Sequence, residues 1–170
     1  MKQFNLTEAE RLQLANQYAI LEKLDQENAE DYSKLRTIVE EGYTILYGNV
    51  FHNLNEPVSM EESQYVFDVL HMYKALQQSY EALPDKSGID SKDIRFRGFD
   101  GNNEPRQLSL AQYMQKEGHW QESLKGDLDS HSMTQDFYQK RLARWNAIKE
   151  RHSGYWDGQL TRDEIKEIVS

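Results

Sequence analysis

A chain of 170 residues with 29 Asp and Glu against 20 Lys and Arg carries a formal charge of −9, holds no cysteine and is 38% hydrophobic. Disulfides, thiolate metal sites and a cysteine nucleophile are excluded, and the acidic balance disfavours nucleic acid as a partner. The length suffices for one core, or two small subdomains, without covalent staples.

In chain order, the opening MKQFNLTEAERL has no apolar signal region, so a soluble, cytoplasmic protein is expected. The longest apolar run, Tyr18-Ala19-Ile20-Leu21, is far short of the roughly 20 residues that cross a bilayer, so no membrane attachment is expected. Thr7 and Glu10 form a possible capping box, which predicts a helix over 7–24. That helix carries apolar residues on three lines: Leu12, Ala15 and Ala19; Leu14, Tyr18 and Leu21; Ile20 and Leu24. So wide an apolar surface marks either an interior helix or one shared with a second subunit. Asn16 and Gln17 fall within it and are expected to be structural polar residues, with Asn16 buried and hydrogen-bonded. A second helix is predicted over 29–52, with a break at Gly42.

The clearest periodicity runs from Ser59 to Leu83. Val66, Val69, Leu70, Tyr73, Leu76, Tyr80 and Leu83 share one stripe, opposite Gln64, Asp68, His71, Lys74, Gln78 and Glu81. Ser59 and Glu62 cap its start, and Pro84 stops it. Residues 84–108 carry Pro84, Gly88, Gly98, Gly101 and Pro105, and Ile94, Phe96 and Phe99 alternate as a short extended segment would. Further helices are predicted over 109–118, 132–151 and 161–169, each opened by a possible capping box: Ser109…Gln112, Ser132…Gln135 and Thr161…Glu164. The resulting class is all-α. An N-terminal helical hairpin, residues 1–56, packs on a C-terminal helical body, residues 57–170, with one extended segment near 94–99.

The chemistry-bearing residue types concentrate in two crossings. Arg95, Arg97, Asp100, Asn102 and Glu104 stand within ten residues, where guanidiniums could take an anion and the carboxylates and amide could orient a ligand. The plainer reading is a structural loop in which Phe96 and Phe99 plug the core and Asp100 and Asn102 bond nearby backbone amides. His131 follows Asp127 and Asp129, so an oriented base is conceivable there, against the commoner use of such residues as helix caps. The basic residues of 138–151 (Lys140, Arg141, Arg144, Lys149 and Arg151) suggest weak RNA binding as a further alternative, opposed by the total charge. None of the five histidines stands three or four residues from another, so no metal site is expected. No phosphate-binding or nucleophile-elbow motif occurs, so no cofactor is expected either.

Several words, in order, resemble the bacterial YfbU family: Arg11-Leu12-Gln13-Leu14-Ala15-Asn16-Gln17-Tyr18, Glu41-Gly42-Tyr43, Met72-Tyr73, Phe96 through Glu104, Ser130-His131 and Leu160-Thr161. The likeness departs at Asp129-Ser130-His131-Ser132-Met133, where the family pattern runs Asn-Ser-His and then Pro. It implies a small, largely helical protein with no assigned activity. The functional expectation is an oligomeric interaction protein, dimer or higher, with a further protein partner conceivable and no established catalysis. The alternative is a small-ligand binder or enzyme using Arg95, Arg97, Asp100, Asn102, Glu104 and His131.

Overall fold

The computed structural model describes residues 4–121, 123–152 and 156–170, and among these the protein is all-α, with no strand longer than a single bridge. The chain divides into two compact units, Met1–Pro57 and Val58–Ser170.

In the first unit, α1 spans Glu8–Leu24 and α2 spans Ala29–Glu41. The Thr7 hydroxyl accepts from the Glu10 amide while the Glu10 carboxylate accepts from the Thr7 amide, so the capping box forms at α1 as the sequence predicts. Bonds from the Thr7 N–H and then the Thr7 hydroxyl hold the Glu10 carboxyl below its ordinary value. Gly42 ends α2 in the left-handed region at φ +70°. Arg11 of α1 reaches across to this end, its Nε 2.7 Å from the Val39 carbonyl and its Nη2 donating to the Glu40 carbonyl. A cation on the exposed carbonyls of a helix C-terminus locks the pair together. A 3-10 turn, Thr44–Leu46, leads into the short α3, Tyr47–Val50.

Within this pair Ala15, Ile38 and Val39 are buried, but the rest of α1's apolar surface is not. Leu12 is 63% exposed, Ile20 58% and Leu24 77%. Asn16 and Gln17 are both exposed as well, so the expectation of a buried, cross-linked Asn16 is corrected. The reason is register: Ala15, not Asn16, faces α2, and about 100° per residue turns Asn16 outward.

The second unit is built around α4, Met60–Ala82, whose Val66, Val69, Leu70, Met72, Tyr73, Leu76 and Ser79 are all buried. α5 spans Pro105–Lys116, α6 Gln135–Arg151 and α7 Arg162–Val169. Capping boxes form at Ser59…Glu62 and Thr161…Glu164. The two others do not. α5 begins four residues early because Pro105 occupies its first turn with its ring-fixed φ, which leaves Ser109 in mid-helix. α6 begins at Gln135 because the Ser132 hydroxyl bonds the Ser130 carbonyl instead of capping.

The extended segment narrows to residues 96–99, with Ile94 already in a turn. Phe99 makes one parallel bridge to Asp129: its N–H donates to the Leu128 carbonyl at 3.0 Å, and its carbonyl accepts from the Ser130 N–H at 3.1 Å. Gly98 permits it. Its φ is +88°, and a Cβ there would lie 2.0 Å from the Leu128 carbonyl oxygen. Phe96 and Phe99 pack on Tyr138, which also meets Tyr73 of α4 at 5.6 Å between ring centroids. The Tyr138 hydroxyl donates to the Gly98 carbonyl at 2.8 Å and accepts from the Arg97 N–H at 3.2 Å. Burial pushes the Tyr138 phenol up, so it serves as a neutral donor.

Candidate functional site

The two polar crossings meet, and their meeting is structural. Glu104 is buried, and its Oε2 accepts three bonds: from the Asp100 N–H at 2.9 Å, the Thr134 N–H at 3.0 Å and the Thr134 hydroxyl at 2.8 Å. One carboxylate thus ties the start of α5 to the start of α6. Its other oxygen, Oε1, is buried without a hydrogen-bond partner, as is the Tyr65 hydroxyl on α4. Burial raises the Tyr65 pKa, and the Glu104 charge adds to the rise. Asp100 is also buried. Its carboxylate accepts from the Asn102 N–H at 3.1 Å and from the Asn103 side-chain amide. Asp129 Oδ1 accepts from the His131 N–H at 2.8 Å and the Gly101 N–H at 3.1 Å, and these two bonds, in that order, lower its pKa.

The six residues singled out in these crossings therefore divide. Asp100 and Glu104 are interior groups already saturated or nearly so by backbone donors, while Arg95, Arg97, Asn102 and His131 are exposed. Arg97 lies 3.6 Å from Asp93 and over the Phe137 ring at 4.3 Å. The His131 ring stands out in solvent, 3.5 Å from Asp129 and 3.9 Å from Asp127, at a backbone φ of +52°. The Asp129 oxygen that could orient the imidazole is occupied by main-chain amides. That arrangement gives a turn more readily than a base.

The basic stripe of α6 is not a free surface either. Arg141 is buried and donates to the Tyr73 hydroxyl at 3.0 Å and the Val169 carbonyl at 3.2 Å. Arg144 donates to the Ile168 carbonyl at 3.3 Å, and Arg151 pairs with Glu167 at 2.7 Å. Three of the five cations fasten α6 to the C-terminal helix, while Lys140 and Lys149 are exposed.

A family model for the YfbU domain matches residues 4–170. The chain belongs to the YfbU family. Membership extends over nearly the full length and assigns no chemistry to any residue, so the geometry must carry the functional argument. Among the described residues of this YfbU protein, no three histidine or carboxylate side chains converge as a metal site, and no helix is long and apolar enough to cross a membrane.

Two features lie outside the polar crossings. The first is the outer face of α1, whose apolar residues the sequence already marks. The second is a two-lobed cleft along the polar stripe of α4. One lobe, of about 450 Å³, is lined by His71, Lys74, Ala75, Gln78, Ser79, Trp145 and residues 157–159. The other, of about 290 Å³, is lined by Lys74, Gln78, Gly118, Trp120, Gln121 and Ser123. Sequence periodicity marks His71, Lys74 and Gln78 as one stripe but reads such a stripe as solvated. Trp120 and Ser123 reach it only through tertiary structure.

Proposed function

We propose that this protein works as a homodimeric interaction protein whose subunits join through the outer face of α1. The observation that carries the reading is the character of that face. On a helix turning about 100° per residue, Leu12, Asn16 and Ile20 form one ridge, with Leu24 continuing it and Gln13 and Gln17 alongside. Lys23 is the only charge close to that ridge between Leu12 and Leu24, in a chain whose net charge is −9. Two copies of so acidic a chain approach most easily where carboxylates are absent.

The ridge is also self-complementary. Asn16 is the midpoint of Glu8–Leu24, so an antiparallel crossing on Asn16 sets Leu12 against Ile20 of the second copy. It also brings the Lys23 end of one helix to the Glu8 and Glu10 end of the other. An Asn pair on the two-fold axis satisfies its own amides and fixes the register. Among the described residues, eight of the twelve exposed large hydrophobics belong to the first unit: Leu12, Ile20, Leu21, Leu24, Tyr43, Ile45, Leu46 and Leu54. Four of these, Leu12, Ile20, Leu21 and Leu24, lie on α1 itself.

Sedimentation or light scattering of the wild type tests this. A dimer is expected, and the Leu12→Asp/Ile20→Asp double variant is expected to be a monomer with unchanged helical circular dichroism. A monomeric wild type, or a double variant that still dimerises, removes the proposal.

A further inference from the structure

We propose that the cleft along α4 is a binding site for a mononucleotide, with the base against Trp120 and the phosphate at Lys74. This inference stands apart from the dimer interface, which lies on the other unit.

Each part of the cleft is positioned by a separate device. Trp120 is held at a φ of +47°, a conformation that a bulky side chain seldom adopts, because its carbonyl closes a turn by accepting the N–H groups of Ser123 at 2.8 Å and Leu124 at 2.9 Å. Phe67 and His71, one helical turn apart on α4, grip the indole by edge or tilted contacts, each with centroids at 5.3 Å. The Gln115 side chain secures the following loop by donating to the Leu124 and Gly126 carbonyls, both at 3.1 Å. The strained residue is thus fixed from both sides, as expected where strain positions a recognition group.

The polar groups that converge there are unused. The Ser123 hydroxyl is buried in the wall of the smaller lobe with no hydrogen-bond partner. A native protein rarely leaves a hydroxyl in that state unless something else supplies the partner. Lys74 and Gln78 stand on the ridge that both lobes share, and Lys74 takes part in no ion pair among the described residues.

The donor set selects the ligand class. An indole wall offers stacking to a planar base, worth far more for an aromatic ring than for a bare anion. Lys74 is a point-charge donor suited to phosphate, and the His71 ring lines the larger lobe with it. The Gln78 and Gln121 side-chain amides present donor and acceptor together, which suits the edge of a nucleobase. Asp157 borders the larger lobe and not the smaller one that Trp120 lines, and its Oδ1 accepts the Gln159 N–H. The lobes together have the volume of a small-molecule site, about 300–1,000 Å³. The charge of −9 opposes a polyanionic strand but not a single phosphate.

Isothermal titration of the full chain with AMP, GMP, CMP and UMP, beside adenosine and inorganic phosphate, tests the proposal. Saturable binding of at least one mononucleotide is expected, about tenfold or more weakened by Lys74→Glu and by removal of the phosphate, with the variant's melting temperature unchanged. Stacking should quench tryptophan fluorescence, and Trp120→Phe should retain binding while losing most of that quenching. No heat with any nucleotide, equal affinity in Lys74→Glu, quenching that survives Trp120→Phe, or much tighter binding of a single-stranded oligonucleotide would each overturn it.

Discussion

α1 and α4 begin alike and end differently. Both open on a capping box, and α1 carries apolar residues on three lines where α4 carries one broad stripe. Yet α4 buries seven residues, and α1 buries only Ala15. The difference lies in what the chain builds around each helix. Phe96 and Phe99 fold back over the Tyr73–Tyr138 pair, α6 and α7 close another side, and the Ser79 hydroxyl accepts the Leu160 N–H at 2.8 Å. α1 has α2 on one flank and an apolar ridge on the other. Hydrophobic content shows that a helix needs cover, and only the connections decide whether its own chain supplies that cover.

Substitutions sharpen the contrast, beginning with the largest effects. Tyr73→Ala removes a fully buried ring from the aromatic cluster and leaves Arg141 without its hydroxyl acceptor. A loss of about 4 kcal/mol is expected in denaturant unfolding. Gly98→Ala drives a Cβ into the Leu128 carbonyl at a positive φ, so about 3 kcal/mol should be lost as the extended segment lifts from α6. Glu104→Ala strands the Asp100 and Thr134 donors, and about 2–3 kcal/mol is expected. Tyr65→Phe removes a hydroxyl that has no partner and should leave the melting temperature unchanged or slightly higher. By the same comparison, Leu12→Asp on α1 should barely change the unfolding of the monomer.

Acid gives the smallest effect and a defined sign. Burial of Glu164 raises its carboxyl pKa, but bonds from the Thr161 N–H, from His152 at 2.7 Å and from the Thr161 hydroxyl outweigh it, so the folded value falls below the ordinary 4.5. A depressed folded pKa contributes stability that is complete above 4.5 and disappears as pH falls through the folded value. Glu62 is shifted the same way, first by the Ser59 N–H. The melting temperature should therefore decline on acidification below about 4.5, and Thr161→Ala should cost about 1 kcal/mol at neutral pH and flatten that decline.

Much of this fold is legible in local sequence, because local physics decides it. Thr7, Ser59 and Thr161 each cap the helix that follows directly, and Gly42 ends the second helix in the left-handed region. Ser109 and Ser132 carry the same signature and fail. Pro105 starts α5 sooner, and the Thr134 hydroxyl is drawn to Glu104, thirty residues away, a partner that no local pattern reveals. The polar crossings were visible as dense clusters of charge and amide, but density does not separate a site from a knot that satisfies itself. The α4 cleft stayed hidden for the opposite reason: Lys74 and Gln78 look like ordinary solvated residues until Trp120 and Ser123 fold over beside them.

The most direct test of the claim that α1 is completed by a second copy uses the absence of cysteine from the chain. Helices packed at about 8–10 Å, with Cα atoms about 2.3 Å from each axis, bring residues on the two-fold axis close enough for a disulfide. Asn16→Cys should give a covalent dimer under mild oxidation, seen on a non-reducing gel at low protein concentration, and Glu30→Cys on α2 should not. If Asn16→Cys stays monomeric, or both variants cross-link equally, α1 does not pair with itself about Asn16.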